Sequence, residues 1–300
     1  MHKLLTIIFI SIIMGSCSFS ESNKNTQESK SVASETRVVD FWNGNRSEVR
    51  QKYERQVLEA VLTATESDFG PWEIKESLVE YPGDEESYVF SEKNHHLFVT
   101  IAGNQKFKEG DMFAIHKPLT RNLLGYRIPI IRTEDAETFK AVSQVEDIQK
   151  LKHGIPETWS DAVIFRHNEY EVVEEGSFDD IFERLASGLV DYSAYGANEV
   201  QGVFENRAAN QGGLMIDDNV MLFYPFPLVF YINPELPELA QRIDQGLDHI
   251  MESGILDAIF NEYYANIVEE LKLDQRKIFI LHNPLIPEEF ANLKPDLSDF

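Results

Sequence analysis

The sequence predicts an α/β protein, and three observations support this class. Two kinds of segment alternate along the chain. In one kind, apolar residues alternate with polar ones or form a continuous run, as in β-strands. In the other, apolar residues recur every three to four positions, as on one face of a helix. Such an order of elements is typical of a sheet covered by helices. The hydrophobic fraction of 43% is sufficient for a buried core, and a length of 300 residues is typical of about two domains.

The first half of the chain predicts a sheet with one long helix packed on it. Residues 36–42 are predicted to form a strand, and Ser47 is placed to cap the following helix. One face of that helix is apolar and is formed by Val49, Tyr53, Val57, Val61 and Ala64. Further strands are predicted at 72–79, 96–102 and 126–132. Because proline cannot donate a hydrogen bond to a neighbouring strand, Pro129 predicts that the last of these is an edge strand or a connector.

The second half predicts another α/β segment that is followed by helices. The predicted elements are, in order, a helix at 145–151, strands at 162–165 and 170–173, a helix from Ser177 to Gly188, a strand at 189–195, an aromatic strand at 221–232 interrupted by Pro225 and Pro227, a helix opened by Asn233 and Pro234 and closed by Gly254, and a helix over 255–271.

Charge and cysteine content exclude several functions. The chain has 51 acidic and 27 basic residues and a formal net charge of -24, so its surface repels phosphate backbones and nucleic acid is excluded as a partner. A single cysteine excludes a disulfide framework and a cysteine-rich metal site.

The N-terminus is typical of an export signal. Lys3 precedes an apolar run over 4–14, which is shorter than the roughly 20 residues of a spanning helix. The sequence Met14-Gly15-Ser16-Cys17 resembles a bacterial lipobox, in which the signal at 1–16 is cleaved and the sulfur of Cys17 is lipidated. The alternative is an ordinary signal peptide with an incidental cysteine. Residues 17–35 are polar and predict a flexible linker. We therefore expect a lipid anchor on the periplasmic face of the cell envelope, at the outer membrane if the cell is Gram-negative.

The order of these elements resembles extracellular solute-binding protein family 3, the type II periplasmic binding proteins, and within it a little-characterised lipoprotein branch. The resemblance covers about residues 36–275 and includes Gly188-Leu189-Val190-Asp191 after a helix, Leu124-Gly125-Tyr126-Arg127, and the tail Asn283-Pro284-Leu285. It implies a two-lobed α/β fold with two crossover hinge strands. Lobe 1 would then contain residues 36–125 and 233–300, and lobe 2 residues 126–232. It also implies a small solute as ligand, with an ABC permease or a membrane sensor as partner.

The chain departs from the residues with which amino-acid binders of this family hold their ligand. Those proteins usually place an arginine after the third strand, where this chain reads Gly103-Asn104-Gln105-Lys106, so that Lys106 or Arg121 would have to serve. They also place an aspartate about five residues after the one equivalent to Asp191, where this chain has Gly196. An amino-acid-like solute is therefore one expectation among small polar solutes.

Candidate ligand contacts follow from the rule that ligands of open α/β sheets bind at the carboxyl ends of strands. Aromatic rings there offer contact area, and arginine offers a forked donor to carboxylates. The candidates are Trp42, Asn104, Arg121, Arg127, Trp159, Tyr195, Asn198 and Glu199. Each has a structural alternative: packing for the aromatic residues, a solvated loop charge for Arg121, a hinge salt bridge for Arg127 and a helix-dipole carboxylate for Glu199.

No enzyme motif supports a catalytic function. The sequence contains no nucleophile elbow, zinc-protease motif, phosphate-binding loop or dinucleotide fingerprint. His95 and His96 are adjacent and would point to opposite faces of a strand, so we expect one of them to be buried and hydrogen-bonded rather than a metal ligand. We predict a non-enzymatic binding protein without metal or cofactor. The alternative is a cell-envelope enzyme on the same fold, dehydratase-like or lyase-associated.

Overall fold

A computed structural model describes residues 36–300 of the chain. The predicted export signal over 1–16, the lipidation site Cys17 and the linker over 17–35 lie outside the described residues. Within 36–300, no helix is both long enough and apolar enough to cross a membrane.

Twelve strands and ten α-helices make up the described part of the chain. The strands are β1 (Arg37–Trp42), β2 (Trp72–Ser77), β3 (Leu97–Ile101), β4 (Phe113–Ile115), β5 (Tyr126–Arg132), β6 (His153–Ile155), β7 (Val172–Glu174), β8 (Tyr192–Gly196), β9 (Leu214–Ile216), β10 (Val220–Phe223), β11 (Leu228–Ile232) and β12 (Lys277–Ile280). The helices are α1 (Glu48–Ala64), α2 (Glu66–Phe69), α3 (Ala136–Ala141), α4 (Val145–Gln149), α5 (Ser160–His167), α6 (Asp180–Ala186), α7 (Val200–Asn206), α8 (Pro237–Glu252), α9 (Ile255–Tyr264) and α10 (Ile267–Glu270).

The strands form two mixed sheets, and each sheet is the centre of a lobe. The first sheet has the order β2-β1-β3-β11-β4, with helices α1 and α8 beside it. The second has the order β12-β10-β5-β8-β6-β7, with β9 also paired to β5. We call the first sheet with α1, α8 and α9 lobe 1, and the second sheet with α3 to α7 lobe 2. The chain passes from lobe 1 to lobe 2 between β4 and β5 and returns between β10 and β11, which are the two expected crossovers.

The sheets divide the chain differently from the expected lobe boundaries at two places. Strand β11, expected in lobe 2, lies between β3 and β4 in the first sheet, where all five of its residues are buried. Strand β12, expected in lobe 1, pairs in parallel with β10 at the edge of the second sheet. The segment after α10 therefore makes a third connection between the lobes. Four residues of a short edge strand carry no sequence signal for the sheet that they join.

Pro129 lies inside the second sheet, so the prediction of an edge strand or connector is wrong. Strand β5 pairs with β8 on one side, and on the other side with β10 at Tyr126 and Arg127 and with β9 at 130–132. The proline falls in the gap between β10 and β9, so its missing N–H leaves no ladder bond unmade. Its carbonyl accepts a hydrogen bond from the Asp217 N–H at 2.9 Å.

Two further element predictions are wrong. The predicted strand at 162–165 is the middle of helix α5, because a short apolar run fits a buried helix face as well as a buried strand. The helix expected to open at Asn233 and Pro234 begins instead at Pro237, which takes the first helical position.

Helix α1 packs closely on α8 and α9 in the core of lobe 1. A Cβ atom at Gly246 of α8 would lie 2.6 Å from Val61 Cγ1 and 2.7 Å from the Val61 carbonyl oxygen. The close approach of the two helices therefore requires glycine at this position. A separate aromatic cluster lies behind β1, β3 and β11 and contains Trp42, Phe90, Phe98, Phe107 and Tyr231.

Candidate ligand-binding site

A cleft of about 170 Å³ lies between the two lobes. Lobe 1 contributes the start of α1, the loop after β2 and the end of β3. Lobe 2 contributes the start of β5, the start of α5 and the end of β8. The lining polar and charged residues are Asn45, Arg46, Ser47, Arg50, Glu86, Thr100, Asn104, Lys106, Arg127, Thr158, Ser160, Asp161 and Glu199.

Two arginines at the start of α1 share one buried carboxylate. Arg50 donates to Glu54 Oε1 from Nε at 3.0 Å and from Nη2 at 2.8 Å, and Arg46 Nε lies 2.9 Å from Glu54 Oε2. The Arg46 guanidinium also donates to the carbonyl oxygens of Gly44 and Val99. It stands 5.0 Å from the ring centroid of Trp42. These contacts, all with residues of lobe 1, fix the position of the Arg46 side chain.

On the opposite wall, Arg127 is paired with Asp161. Arg127 lies at the start of β5 and is only 2% exposed, and its Nη2 donates to Asp161 Oδ1 at 2.5 Å. The hydroxyl of Tyr224 donates to the same oxygen at 2.6 Å. Asp161 lies in the first turn of α5, where the helix dipole favours a carboxylate. The pair is thus held by three different elements.

Glu199 connects the two walls. Its Oε2 accepts a hydrogen bond from Arg50 Nη1 of lobe 1 at 3.3 Å, and its Oε1 lies 3.9 Å from Arg127 Nη1 of lobe 2. At the rim, Arg207 Nη2 of lobe 2 lies 3.7 Å from Glu80 Oε1 of lobe 1. Ion pairs of the protein itself therefore span the cleft at two levels.

A second polar group closes the cleft on the lobe 1 side. Lys106 Nζ contacts Glu86 Oε2 at 2.6 Å, and Asn104 Nδ2 donates to Glu86 Oε1 at 3.0 Å and to Thr100 Oγ1 at 2.9 Å. The position after the third strand is thus occupied by a lysine whose charge is already matched by a carboxylate.

The remaining wall of the cleft is aromatic. The ring centroids of Trp159 and Phe178 lie 5.2 Å apart, and the buried Phe226 of the second crossover completes this side. The Arg207 guanidinium lies 4.3 Å from the centre of the Phe178 ring, so the rim ion pair and the aromatic wall are in contact. This arrangement gives the cleft one apolar face and one hydrogen-bonding face.

The charges of the cleft are stabilised by their neighbours. Burial lowers the pKa of Arg127, but the opposing effect of Asp161, with Tyr224 and Glu199, is larger and leaves this pKa above its usual range. In Arg50 the effect of burial is likewise exceeded by Glu54 and Glu199, so its pKa is raised. Burial dominates in Arg46, where it lowers the pKa despite Glu54. All three side chains remain protonated, because arginine does not lose its proton in proteins.

Four of the eight predicted contact residues line the cleft: Asn104, Arg127, Trp159 and Glu199. Three others support it from behind. Trp42 packs under Arg46 and donates from Nε1 to the Val79 carbonyl at 2.8 Å. The Tyr195 hydroxyl accepts a hydrogen bond from Ser193 at 2.9 Å, and its ring lies against Trp159. Asn198 is buried beside Glu199, with no hydrogen-bond partner for either amide atom among the described residues.

Arg121 does not reach the cleft, contrary to expectation. It pairs with Asp257 at the start of α9, and its guanidinium lies 4.3 Å from the centre of the Phe260 ring. The segment of the first crossover that carries it turns toward α9 rather than toward lobe 2.

Sequence reasoning missed Arg46, Ser47, Arg50, Asp161, Phe178 and Phe226. One signal was present: Arg50 and Glu54 are four residues apart, which places them on one face of α1, and Arg46 precedes Arg50 by the same spacing just before the helix. Asp161 was hidden by the strand prediction for 162–165, which concealed the start of α5.

The histidine prediction is confirmed for His95. It is buried, its Nδ1 lies 2.5 Å from Asp40 Oδ1, and its Nε2 lies 3.0 Å from the Tyr81 hydroxyl. Among residues 36–300, no group of three or more histidine, cysteine, aspartate or glutamate side chains is arranged to hold a metal ion.

Comparison with known proteins identifies the fold. No family model and no curated protein matches the chain. Among solved structures, an ancestral arginine-binding protein bound to glutamine aligns with 76% of this chain and 97% of its own, at 13% identity and a TM-score of 0.54. A probable amino-acid ABC transporter extracellular-binding protein from Bacillus subtilis aligns over 76% and 98%, at 13% identity and a TM-score of 0.54.

A third match is a histidine kinase sensor domain with similarity to periplasmic binding proteins. It aligns over 76% of this chain and 95% of its own, at 13% identity and a TM-score of 0.53. The chain thus has the two-lobed fold of the type II periplasmic binding proteins, as its sequence led us to expect.

Proposed function

We propose that the chain is a lipid-anchored, extracytoplasmic solute-binding protein that captures a small polar solute for a transporter or a sensor. The observation that carries this proposal is the cleft between the lobes, where both lobes supply buried polar groups and lobe 2 adds an aromatic wall. A solute held there would contact both lobes at once and would favour their closed arrangement.

The predicted contact residues have two kinds of role in this proposal: some line the cleft and others support it from behind. Trp159 offers its ring for stacking, Arg127 offers a donor, and Asn104 and Glu199 offer acceptor oxygens. Tyr195 and Asn198 are buried behind the cleft, at and just after the end of β8. Trp42 keeps Arg46 in position. Binding requires no cofactor.

The matched proteins support this class of function. They are an arginine-binding protein bound to glutamine, a probable binding protein of an amino-acid ABC transporter, and a sensor domain of a histidine kinase. An amino-acid-like solute is therefore the first class to test, and a permease or a membrane sensor is the partner that we propose. A permease and an ATPase encoded beside this chain would favour transport, and a sensor protein would favour signalling.

A thermal-shift screen of amino acids, peptides, sugars and organic acids tests the proposal. A solute that binds only the folded chain at 100 times its dissociation constant adds about 2.7 kcal/mol to the free energy of unfolding. For a chain of this length, this corresponds to roughly 5–10 °C in melting temperature. If no solute moves the melting curve while an activity assay finds one of them consumed, the chain is an envelope enzyme instead.

A further inference from the structure

Every charged side chain of the cleft is already paired within the protein. Arg127 is bound to Asp161, Lys106 to Glu86, and Arg50 to both Glu54 and Glu199. The cations and the anions are equal in number once Arg46, which shares Glu54, is included. The cleft is therefore electrically balanced before any solute enters it.

A charged group of a ligand would have to compete with these internal partners. Arg127 and Asp161 have side-chain exposures of only 2% and 7%. Removing one partner of a buried pair leaves the other charge without compensation, which is strongly unfavourable. A ligand carboxylate that displaced Asp161 from Arg127 would leave Asp161 in that position, and a ligand ammonium that displaced Arg127 from Asp161 would do the same to Arg127.

Two of the buried groups that lack a hydrogen-bond partner are donors on opposite walls of the cleft. Ser47 Oγ of lobe 1 and Arg127 Nε of lobe 2 are both buried, and both belong to residues that line the cleft. Neither has a hydrogen-bond partner among the described residues. Ser47 is the N-cap residue of α1, yet its hydroxyl makes no capping hydrogen bond. A buried polar group without a partner is costly, so these two groups indicate hydrogen bonds to a ligand.

A neutral hydroxyl group fits this pair of donors. Its oxygen accepts from Arg127 Nε, and a second hydroxyl oxygen of the same ligand accepts from Ser47, without separating any ion pair. The aromatic wall of Trp159, Phe178 and Phe226 matches the apolar C–H face that a compact ring or chain of hydroxylated carbons presents.

We infer that the ligand of this cleft is a small neutral polyhydroxylated solute, a monosaccharide or a polyol, rather than a free α-amino acid. The inference rests on the proposed function, because it names the ligand class of the same cleft. The small volume of the cleft, about 170 Å³, suits a single sugar unit and not an oligomer.

Calorimetric titration with two matched panels tests the inference on the mature chain. One panel contains neutral monosaccharides and polyols, and the other contains L-amino acids, including arginine and glutamine. We expect a member of the first panel to bind with an affinity that changes less than about twofold between 0.05 and 0.5 M NaCl, because no ion pair with the ligand is screened. Tight, salt-sensitive binding of an amino acid would overturn the inference and leave the proposed function intact. If no member of either panel binds, and no peptide or organic acid binds, both the inference and the proposed function are contradicted.

Two variants locate the binding. Ser47→Ala removes the unpaired hydroxyl without removing a cap and should weaken binding of the neutral solute about 10-fold, the effect of one lost hydrogen bond. Arg127→Lys keeps a cation beside Asp161 and removes Nε, with a loss of similar size expected. Ser91→Ala, an exposed position of lobe 1, is the matched control and should bind like the wild type. Unchanged affinity in both Ser47→Ala and Arg127→Lys, with circular dichroism showing folded proteins, would overturn the inference.

Discussion

Asp161 is the carboxylate on which the lobe 2 side of the cleft depends. It compensates the buried guanidinium of Arg127 at 2.5 Å and accepts from the Tyr224 hydroxyl at 2.6 Å. Asp161→Ala leaves the arginine charge buried without a partner, and we expect a loss of about 3 kcal/mol in the free energy of unfolding. Urea denaturation measures it.

The control for this prediction is an ion pair of the surface. Glu48 and Lys52 pair at 2.6 Å on the solvent side of α1, with side chains that are 68% and 64% exposed. Glu48→Ala should leave the urea midpoint unchanged, because exposed pairs contribute little. A midpoint shift in Asp161→Ala as small as that of the control would show that Arg127 does not need its partner.

His153 makes the folded chain sensitive to mild acid. Burial, with a smaller effect of Arg127, holds its pKa well below 6.5. The unfolded chain therefore takes up a proton near pH 6.5 while the folded chain does not, and stability falls as the pH drops below that value. The fall approaches about 1.4 kcal/mol per pH unit for one such group. The pKa of His96 is also lowered by burial and acts in the same direction.

Thermal unfolding between pH 7.5 and 5.5 measures this dependence. His153 Nε2 accepts from the Ala194 N–H at 3.2 Å, an acceptor role that glutamine can keep. We expect His153→Gln to lose less stability over this pH range than the wild type, whereas His249→Gln, at an exposed position, should follow the wild-type curve. If the melting temperatures of wild type and His153→Gln fall equally with pH, His153 is not the group that makes the folded chain sensitive to acid.

Residues differ in how far the sequence predicted their place in the cleft. Asn104, Trp159 and Glu199 follow or precede strands that were recognised, so the rule on strand ends brought them to the cleft. The rule gave the wrong position for Arg121, because that position depends on the direction of a loop. The periodic pattern of apolar residues in the sequence does not predict the direction of a loop. Whether a polar group such as Arg127 Nε has a partner is a property of packed atoms and has no sequence signal.

At the scale of elements, the approach of α1 and α8 limits what lobe 1 tolerates. Gly246→Val places a branched side chain where a single Cβ already lies 2.6 Å from Val61 Cγ1. We expect overpacking to cost about 1–3 kcal/mol, or more if the helices separate. Differential scanning calorimetry measures the change.

A second helical glycine is the control. The nearest atom to a Cβ at Gly202 of α7 is 4.0 Å away, so Gly202→Ala should be neutral or raise stability by up to about 1 kcal/mol. Equal effects of the two substitutions would show that helix propensity, and not the contact with Val61, determines the change in stability of Gly246→Val.

The elements predicted best are those with a long periodic pattern. The apolar face of helix α1 repeats over more than one turn. The apolar patterns of strands β1 and β3 extend over more than two residues. Helix α5 was predicted as a strand because only four apolar residues were visible, and their period cannot be read from so few. The prediction from Pro129 was wrong because the gap between β9 and β10 depends on pairing between strands that are far apart in the sequence.

At the scale of the whole molecule, two ion pairs span the cleft and four chain connections link the lobes: the two crossovers, the segment that leads into β12, and the segment after β12, whose Phe290 packs in the aromatic cluster of lobe 1. Arg50–Glu199 and Glu80–Arg207 join side chains across the cleft at 3.3 and 3.7 Å. We expect the lobes to rotate about these connections and a bound solute to lower the radius of gyration in small-angle X-ray scattering, because hinge closure is confined to few residues. A radius that does not change with saturating solute would contradict a hinged cleft.

The membrane attachment is predicted from the apolar run over 4–14 and the lipobox-like sequence that ends at Cys17. Cys17→Ser should abolish lipid labelling and move the protein from the membrane fraction to the soluble fraction of cells. The control, Ser18→Ala, keeps the cysteine and should remain in the membrane fraction. A Cys17→Ser protein that still carries lipid and sediments with membranes would remove the lipoprotein prediction.

The central claim is that the cleft between the two sheets holds a small solute and releases it unchanged. Calorimetric titration of the chain with the solute selected by the thermal screen, followed by recovery and mass measurement of that solute, tests the claim most directly. We expect one site per chain, an affinity about 10-fold weaker in Ser47→Ala, and complete recovery of the unaltered solute. Binding that Ser47→Ala and Arg127→Lys both leave intact, or a solute recovered as a different compound, would contradict it.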